Sequence, residues 1–277
     1  MLNVNDHSRE SAGLSYVYPV VSRRAGGVSV GINLNINNAC NWACVYCQVP
    51  NLVRGGPPPV NLVQLETELR TFLEDVTQGD FLVKNVPPEA RRLVDVAFSG
   101  NGEPTSAAEF EEAVICVERV LREFSLLDSL KVRLITNGSF LHRPLVQRGI
   151  ARIGAMDGEI WFKVDRASAK GIAQVNSIQL TPARIKASLL QCAELAPTWI
   201  QTCYFAFDGV EAEEKEQSSY LELIEAVREK IKGVHLYGLA RPSLQPGAVK
   251  LSNLAPEKFQ RFAERISALG IQVVSNP

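Results

Sequence analysis

The sequence predicts an α/β protein built on a parallel sheet, and two patterns carry the prediction. Short apolar runs with strand periodicity alternate with amphipathic helices, six times along the chain. The connections are long enough to hold crossover helices, which makes neighbouring strands parallel rather than hairpin partners. Such a sheet closes as a barrel or stays open and doubly wound, and periodicity does not choose between the two.

The first strand is read over 28–36, where Val28, Val30, Ile32, Leu34 and Ile36 alternate with small or polar residues and lead into a cysteine-rich loop. Gly55-Gly56-Pro57-Pro58-Pro59 breaks the chain, and Asn61 opens a helix through about Val76 with Leu62, Leu65, Leu69, Phe72 and Leu73 on one face. Strand–helix pairs follow at 93–98 and 107–124, at 131–136 and 141–150, and at 159–164 and 182–195. Two more are read at 199–207 with 217–232 and at 234–240 with 256–269, before a short last strand at 271–274. The chain reads as one domain over 1–277, with its core over about 28–275 and an N-terminal extension over 1–27.

With 46% hydrophobic residues, 277 residues suffice for a large core. A formal charge of −1 gives no overall basic field for nucleic acid, although the average can hide a local patch. Arg23-Arg24 and Arg91-Arg92 are only pairs, and the acidic run from Glu211 to Glu216 reads as a solvated loop leading into a helix. The apolar runs are too short to span a bilayer. The stretch from Met1 to His7 lacks a basic region followed by an apolar run, so a reducing cytoplasm is the expected location.

Chemistry concentrates at the strand ends. Cys40, Cys44 and Cys47 fall within eight residues, and thiolates favour iron–sulfur clusters, in which a four-iron cluster takes one Cys per iron. Three cysteines leave one iron open to a ligand. A structural zinc site wants four ligands, and no second pair or nearby His accompanies the triplet. A disulfide needs an oxidising compartment. Cys116 and Cys192 read as buried structural residues, and Cys203 as core or a thiol facing the barrel interior.

The second strand ends in Ser99-Gly100-Asn101-Gly102-Glu103-Pro104-Thr105, whose glycines allow close backbone approach and whose Glu103 offers a carboxylate. A plain capped turn is the alternative there. The third ends in Thr136-Asn137-Gly138-Ser139, polar groups able to bond a ligand or to cap the next helix. At the fourth, Lys163 and Asp165 share a face by period two, as a site pair or an interior salt bridge. Arg241, just past the sixth strand, is read as an anion contact or a surface ion pair.

The order of Cys40, Cys44 and Cys47, the Gly102-Glu103-Pro104 turn and Thr136-Asn137-Gly138 resembles the radical S-adenosylmethionine (radical SAM) superfamily over nearly the whole chain. Asn33-Leu34-Asn35, Cys44-Val45-Tyr46-Cys47-Gln48, Lys163-Val164-Asp165 and Ala240-Arg241-Pro242 resemble its compact Fe–S oxidoreductases related to wyosine-synthesising tRNA enzymes. The resemblance implies a partial (β/α)6 TIM-like barrel with substrate entering at the C-terminal face. It implies a [4Fe-4S] cluster on Cys40, Cys44 and Cys47 that binds S-adenosylmethionine (SAM) through its fourth iron. Tyr46 would lie against adenine, and Glu103 with Gly100, Asn101 and Gly102 would receive the methionine ammonium. Asn101 stands where the commonest pattern has Gly. Thr136 and Asn137 would contact methionine or ribose, and Lys163 and Asp165 ribose or substrate.

The activity implied is reductive cleavage of SAM to methionine and a 5′-deoxyadenosyl radical that abstracts hydrogen from a small molecule, nucleoside or peptide. A one-electron donor such as flavodoxin or ferredoxin would be a partner. Modification of tRNA is the alternative within enzymes, weakened because no Cys precedes Cys40 to hold a second cluster. A non-catalytic Fe–S or zinc-binding module is the alternative outside them.

Overall fold

The structure, a computed structural model, describes residues 13–22 and 26–277. Met1 to His7 and the Arg23-Arg24 pair lie outside the described residues. One sheet holds β1 (Val17–Ser22), β2 (Gly27–Ile32), β3 (Leu93–Phe98), β4 (Lys131–Thr136), β5 (Glu159–Lys163), β6 (Thr198–Cys203), β7 (Gly233–Tyr237) and β8 (Val273–Asn276). Their order in space is their order in the chain. A doubly wound sheet reverses its strand order midway, and this one does not. The connections therefore stay on one face, and the sheet curls away from them into a partial barrel whose edge strands, β1 and β8, do not pair.

All neighbours run parallel except β1 and β2, which are antiparallel in the register Val17↔Ile32 to Ser22↔Gly27. β1 falls inside the stretch read as an N-terminal extension. Pro19 breaks its strand pattern, yet Pro is tolerated on an edge strand because no outer neighbour needs its missing N–H. The fixing contact comes from a helix: buried Glu68 accepts the backbone N–H groups of Ser15 (3.1 Å), Tyr16 (2.7 Å) and Val17 (3.2 Å).

The outer layer comprises α1 (Leu62–Thr77), α2 (Phe110–Glu123), α3 (Pro144–Ala155), α4 (Ala169–Asn176), α5 (Pro182–Leu195), α6 (Glu214–Val227) and α7 (Pro256–Ser267). Asn61, Ser168 and Thr181 cap α1, α4 and α5 by accepting backbone N–H groups from Gln64, Gly171 and Arg184. Val30, Ile32, Val96, Phe98, Val132, Leu134, Ile160, Phe162 and Ile200 are buried and belong with α1 and α2 residues such as Leu65, Leu69, Val114 and Val117 to one core. Both faces of the strands are thus covered, one by helices and the other by the barrel interior.

Element boundaries shift where side chains intervene. The strand read over 28–36 stops at Ile32, and that read over 199–207 stops at Cys203, with Ala206–Phe207 pairing antiparallel with Leu251–Ser252. Helix α3 starts at Pro144, whose fixed φ and absent N–H suit a first turn, rather than at Leu141. Helix α4, between Asp165 and α5, was not expected. Its start is held by Glu216 of the acidic run, which accepts the N–H groups of Ala167 (2.8 Å) and Ser168 (3.1 Å), so this residue is not merely solvated. Among the described residues, no helix is long and apolar enough to cross a membrane.

Candidate functional site

Inward-facing residues follow the strand period of two and enclose a cavity of about 360 Å³ on the concave face. Its wall includes Ala97 and Ser99 of the β3 end, Ile135 and Asn137 of the β4 end, Trp161 and Lys163 of β5, and Gln201 and Cys203 of β6. Small side chains at the upper levels leave the space open. Toward the N-terminal strand ends, Arg133 donates to Asp95 and Glu159, and Trp161 and Trp199 each stand 4.6 Å from the His235 ring centroid.

The cysteine loop covers the C-terminal end of this cavity, where Cys40, Cys44 and Cys47 line its wall with Tyr46, Gly100, Asn101, Gly102, Glu103, Asn137 and Lys163. Cys203 and Arg241 line it too. Thr136 and Asp165 do not; each stands behind a residue that does. Thr136 Oγ1 donates to Glu103 at 2.6 Å. Asp165 accepts from the Tyr46 hydroxyl at 2.5 Å, Asn176 Nδ2 at 2.8 Å and the Cys203 N–H at 3.0 Å, and lies 3.7 Å from Lys163. The interior salt bridge between Lys163 and Asp165 is therefore present. Cys116 and Cys192 are buried in α2 and α5.

Glu103 is 3% exposed. Burial pushes its carboxyl above the usual range against hydrogen bonds from the Asn137 N–H, Thr105 and Thr136. Oε1 takes the Thr105 N–H, Thr105 Oγ1 and Thr136 Oγ1, whereas among the described residues Oε2 accepts from the Asn137 N–H alone, at 2.7 Å. Oε2 thus keeps acceptor capacity on the cavity side. Beside it, Gly100 has φ +138°, and a Cβ on Gly102 would sit 2.1 Å from the Ala39 carbonyl oxygen. Glycine is required at both positions, one for backbone conformation and one for close packing.

Lys163 donates to the Tyr237 hydroxyl at 2.9 Å and lies 5.0 Å from the Tyr46 ring centroid. Burial alone would lower its pKa, but Asp165 and its other neighbours hold the ammonium above the ordinary range. Asn176 links this network to the loop by donating to Cys44 Sγ at 3.3 Å. Burial pushes the Cys40 thiol up to about 11 and the Cys44 thiol up to about 12, so metal binding here must displace protons.

Several positioning residues were not assigned roles from sequence. Asn33 Oδ1 accepts the N–H groups of Asn35 (3.2 Å) and Asn101 (3.0 Å), and Asn35 Nδ2 donates to the Ala39 carbonyl at 2.9 Å. Asn137 Nδ2 donates to Asn41 at 2.9 Å, and Ser243 and Gln245 donate to carbonyls of the cysteine loop. The available signal was the run of asparagines at 33, 35, 37, 38 and 41, residues suited to bonding backbone in a loop.

Among the described residues, no three His, Cys, Asp or Glu side chains converge closely enough to hold one metal ion. A four-iron cluster instead takes one thiolate per iron, so its ligands stand apart. Three soft donors on one cavity wall fit that group. Asn101 adds a buried Oδ1 with no partner among the described residues, an acceptor at the same wall.

No protein-family model matches the chain. By structure, it is similar to a radical SAM methyltransferase from Sphaerobacter thermophilus, with a TM-score of 0.62 over 94% of this chain and 68% of that one at 13% identity. The fold is that of radical SAM enzymes. The partial barrel is also similar to archaeal TYW1 (TM-score 0.50, 13% identity, 90% of this chain and 73% of that one). It resembles anSMEcpe solved with bound AdoMet (TM-score 0.51, 14% identity, 89% and 63%) as well.

Two curated relatives match parts of the sequence. UPF0026 protein MJ1312 of Methanocaldococcus jannaschii is 27% identical over 158 residues, 53% of this chain and 43% of that protein. GTPase Obg of Brachyspira hyodysenteriae is 26% identical over 128 residues, 45% of this chain and 16% of that protein. The chain thus spans less than half the length of either relative. A P-loop ends in Gly-Lys, and no Gly here precedes a Lys, so the GTPase name is not carried over.

Proposed function

We propose that this chain is a radical SAM enzyme acting as one domain, with Cys40, Cys44 and Cys47 holding a [4Fe-4S] cluster beside bound SAM. The observation that carries this reading is that the three cysteines, Tyr46 and Glu103 share one cavity wall at the C-terminal strand ends of a radical SAM fold. When bound, the cluster and SAM supply reductive cleavage and hydrogen abstraction. Glu103 Oε2 receives the ammonium of the methionine moiety, while Thr105, Thr136 and the Asn137 N–H keep its carboxylate aimed. Tyr46, fixed by Asp165, presents its ring to the adenine. Lys163, Gln201, Tyr237 and Arg241 line the remaining wall for substrate polar groups.

The cysteine loop over the strand ends would shield the reacting centre and hold the substrate C–H in contact with it. The motifs resemble those of the compact Fe–S oxidoreductases, and a cytoplasmic location belongs to this reading. The test is anaerobic reconstitution, which is expected to load about four irons per chain and to release 5′-deoxyadenosine with dithionite and SAM. Cys44→Ala is expected to abolish both; full SAM cleavage by this variant would falsify the assignment.

A further inference from the structure

We propose that Cys203 is the hydrogen-atom donor of this cavity, returning a hydrogen atom to the carbon radical made from the substrate; the inference rests on the radical SAM reading above. Strand alternation decides which way the residue faces. Ile200 and Thr202 of β6 point to the helical layer, Ile200 into the main core and Thr202 onto the Tyr220 hydroxyl of α6 at 2.6 Å. Gln201 and Cys203 therefore face the barrel interior, and both line the cavity.

The thiol belongs to a built level of the wall. Parallel register sets Cys203 beside Tyr237 of β7 and Tyr237 beside Asn276 of β8, and all three residues line the cavity. Lys163 donates to the Tyr237 hydroxyl, and Asp165 accepts the Cys203 N–H at 3.0 Å, so side chain and backbone both hold this level in place. Among the described residues the Cys203 sulfur itself takes part in no hydrogen bond, whereas Cys44 accepts from Asn176 and Cys192 from Thr198. Burial, with Asp165 nearby, raises the thiol pKa, so its hydrogen is retained.

Elimination points to the same group. Cys40, Cys44 and Cys47 give up their hydrogens on binding metal, and Cys116 and Cys192 sit in the outer helices α2 and α5. Of the six cysteines, Cys203 thus carries the one thiol hydrogen left in the cavity wall. Phenols are the rivals, but the Tyr46 O–H is held by Asp165 and the Tyr18 hydroxyl shares a 2.8 Å bond with Ser99, so these hydrogens are already engaged. An S–H bond is weaker than an alkyl C–H bond, and transfer to an alkyl radical runs downhill. The S–H bond breaks, the C–H bond forms, and a thiyl radical is left on Cys203. One electron from the low-potential one-electron donor and one proton from solvent restore the thiol. The product then carries a solvent-derived hydrogen at the radical carbon, at the oxidation level of the substrate, as in a rearrangement or an inversion of configuration.

The test is SAM cleavage without substrate, by the reconstituted full chain with dithionite in D2O, where the thiol becomes S–D and the 5′-deoxyadenosyl radical takes its hydrogen from the nearest donor. Mass spectrometry reads deuterium per molecule of 5′-deoxyadenosine formed, a ratio independent of the rate of cleavage. The label is expected in the wild type and in Tyr237→Phe, and is expected to fall at least about tenfold in Cys203→Ala and in Cys203→Ser, whose O–H bond is too strong to yield. A second readout needs no variant: a nitrone spin trap is expected to add to the wild-type chain at Cys203, located by tandem mass spectrometry. Label retained by both Cys203 variants would overturn the inference, as would an adduct on another residue in place of Cys203. Label lost in Tyr237→Phe alone also overturns it and assigns the hydrogen to the phenol. A wild-type chain that releases no 5′-deoxyadenosine overturns instead the reading on which the inference rests.

Discussion

Asp165→Asn tests whether the network behind the cavity holds the cysteine loop in place. The wild-type carboxylate is fully buried, accepts three hydrogen bonds and neutralises Lys163 at 3.7 Å. Asparagine preserves shape, and its oxygen can keep the Cys203 N–H. Its amide then faces the Asn176 amide, donor against donor, and Lys163 loses its countercharge. Removing one member of a buried pair costs about 3–5 kcal/mol, a large share of a total stability of roughly 5–15 kcal/mol. Urea denaturation of the metal-free chain, followed by circular dichroism, measures this without reference to activity. Adding Lys163→Met removes the stranded charge and is expected to recover about 1–2 kcal/mol. A loss below about 1 kcal/mol for Asp165→Asn, with an unchanged m-value, would refute the claim that this carboxylate organises the site.

Gly102→Ala forces a Cβ against the Ala39 carbonyl and Asn35, with an expected cost of about 1–3 kcal/mol and reduced iron loading per chain. Glu68→Gln removes the carboxylate charge on which the Ser15, Tyr16 and Val17 N–H groups converge and turns the acceptor of the Gln64 amide into a donor. Its expected loss is about 2 kcal/mol by urea titration, with increased hydrogen exchange in β1. Glu118 faces Arg122 and Arg152, which outweigh burial and hold its carboxyl below the usual range. Its stabilisation is complete above the unfolded pKa and disappears as pH falls through the lowered folded value. Glu118→Gln is expected to flatten the acid limb of stability against pH by about 0.5–1 kcal/mol.

The parallel sheet, the strand–helix alternation and the cysteine loop were legible because each is written in local periodicity or spacing. The cores of β3, β4 and β5 agree with the alternation of Val96 with Ala97, Leu134 with Ile135 and Trp161 with Phe162. β1 was not legible, because Pro19 disrupts the local pattern and the strand depends on Glu68, some fifty residues away. Asn33 and Asn35 were read within the first strand and Asn37, Asn38 and Asn41 in the loop after it, and nothing local indicated which backbone groups they would bond.

By itself, then, the sequence determined which residue types stand at the strand ends: the thiol triplet, the Glu103 turn and Thr136-Asn137-Gly138. Only tertiary structure decided which of them face a ligand. Curling the sheet brings Asp165 to Tyr46 across 119 residues and Asn176 to Cys44 across 132, which makes Asp165 and Thr136 supports rather than cavity wall. Local patterns fix the alternation of a strand's faces. Which face is enclosed, and what closes over it, depends on contacts between segments far apart in the chain, and these exist only once the barrel has formed.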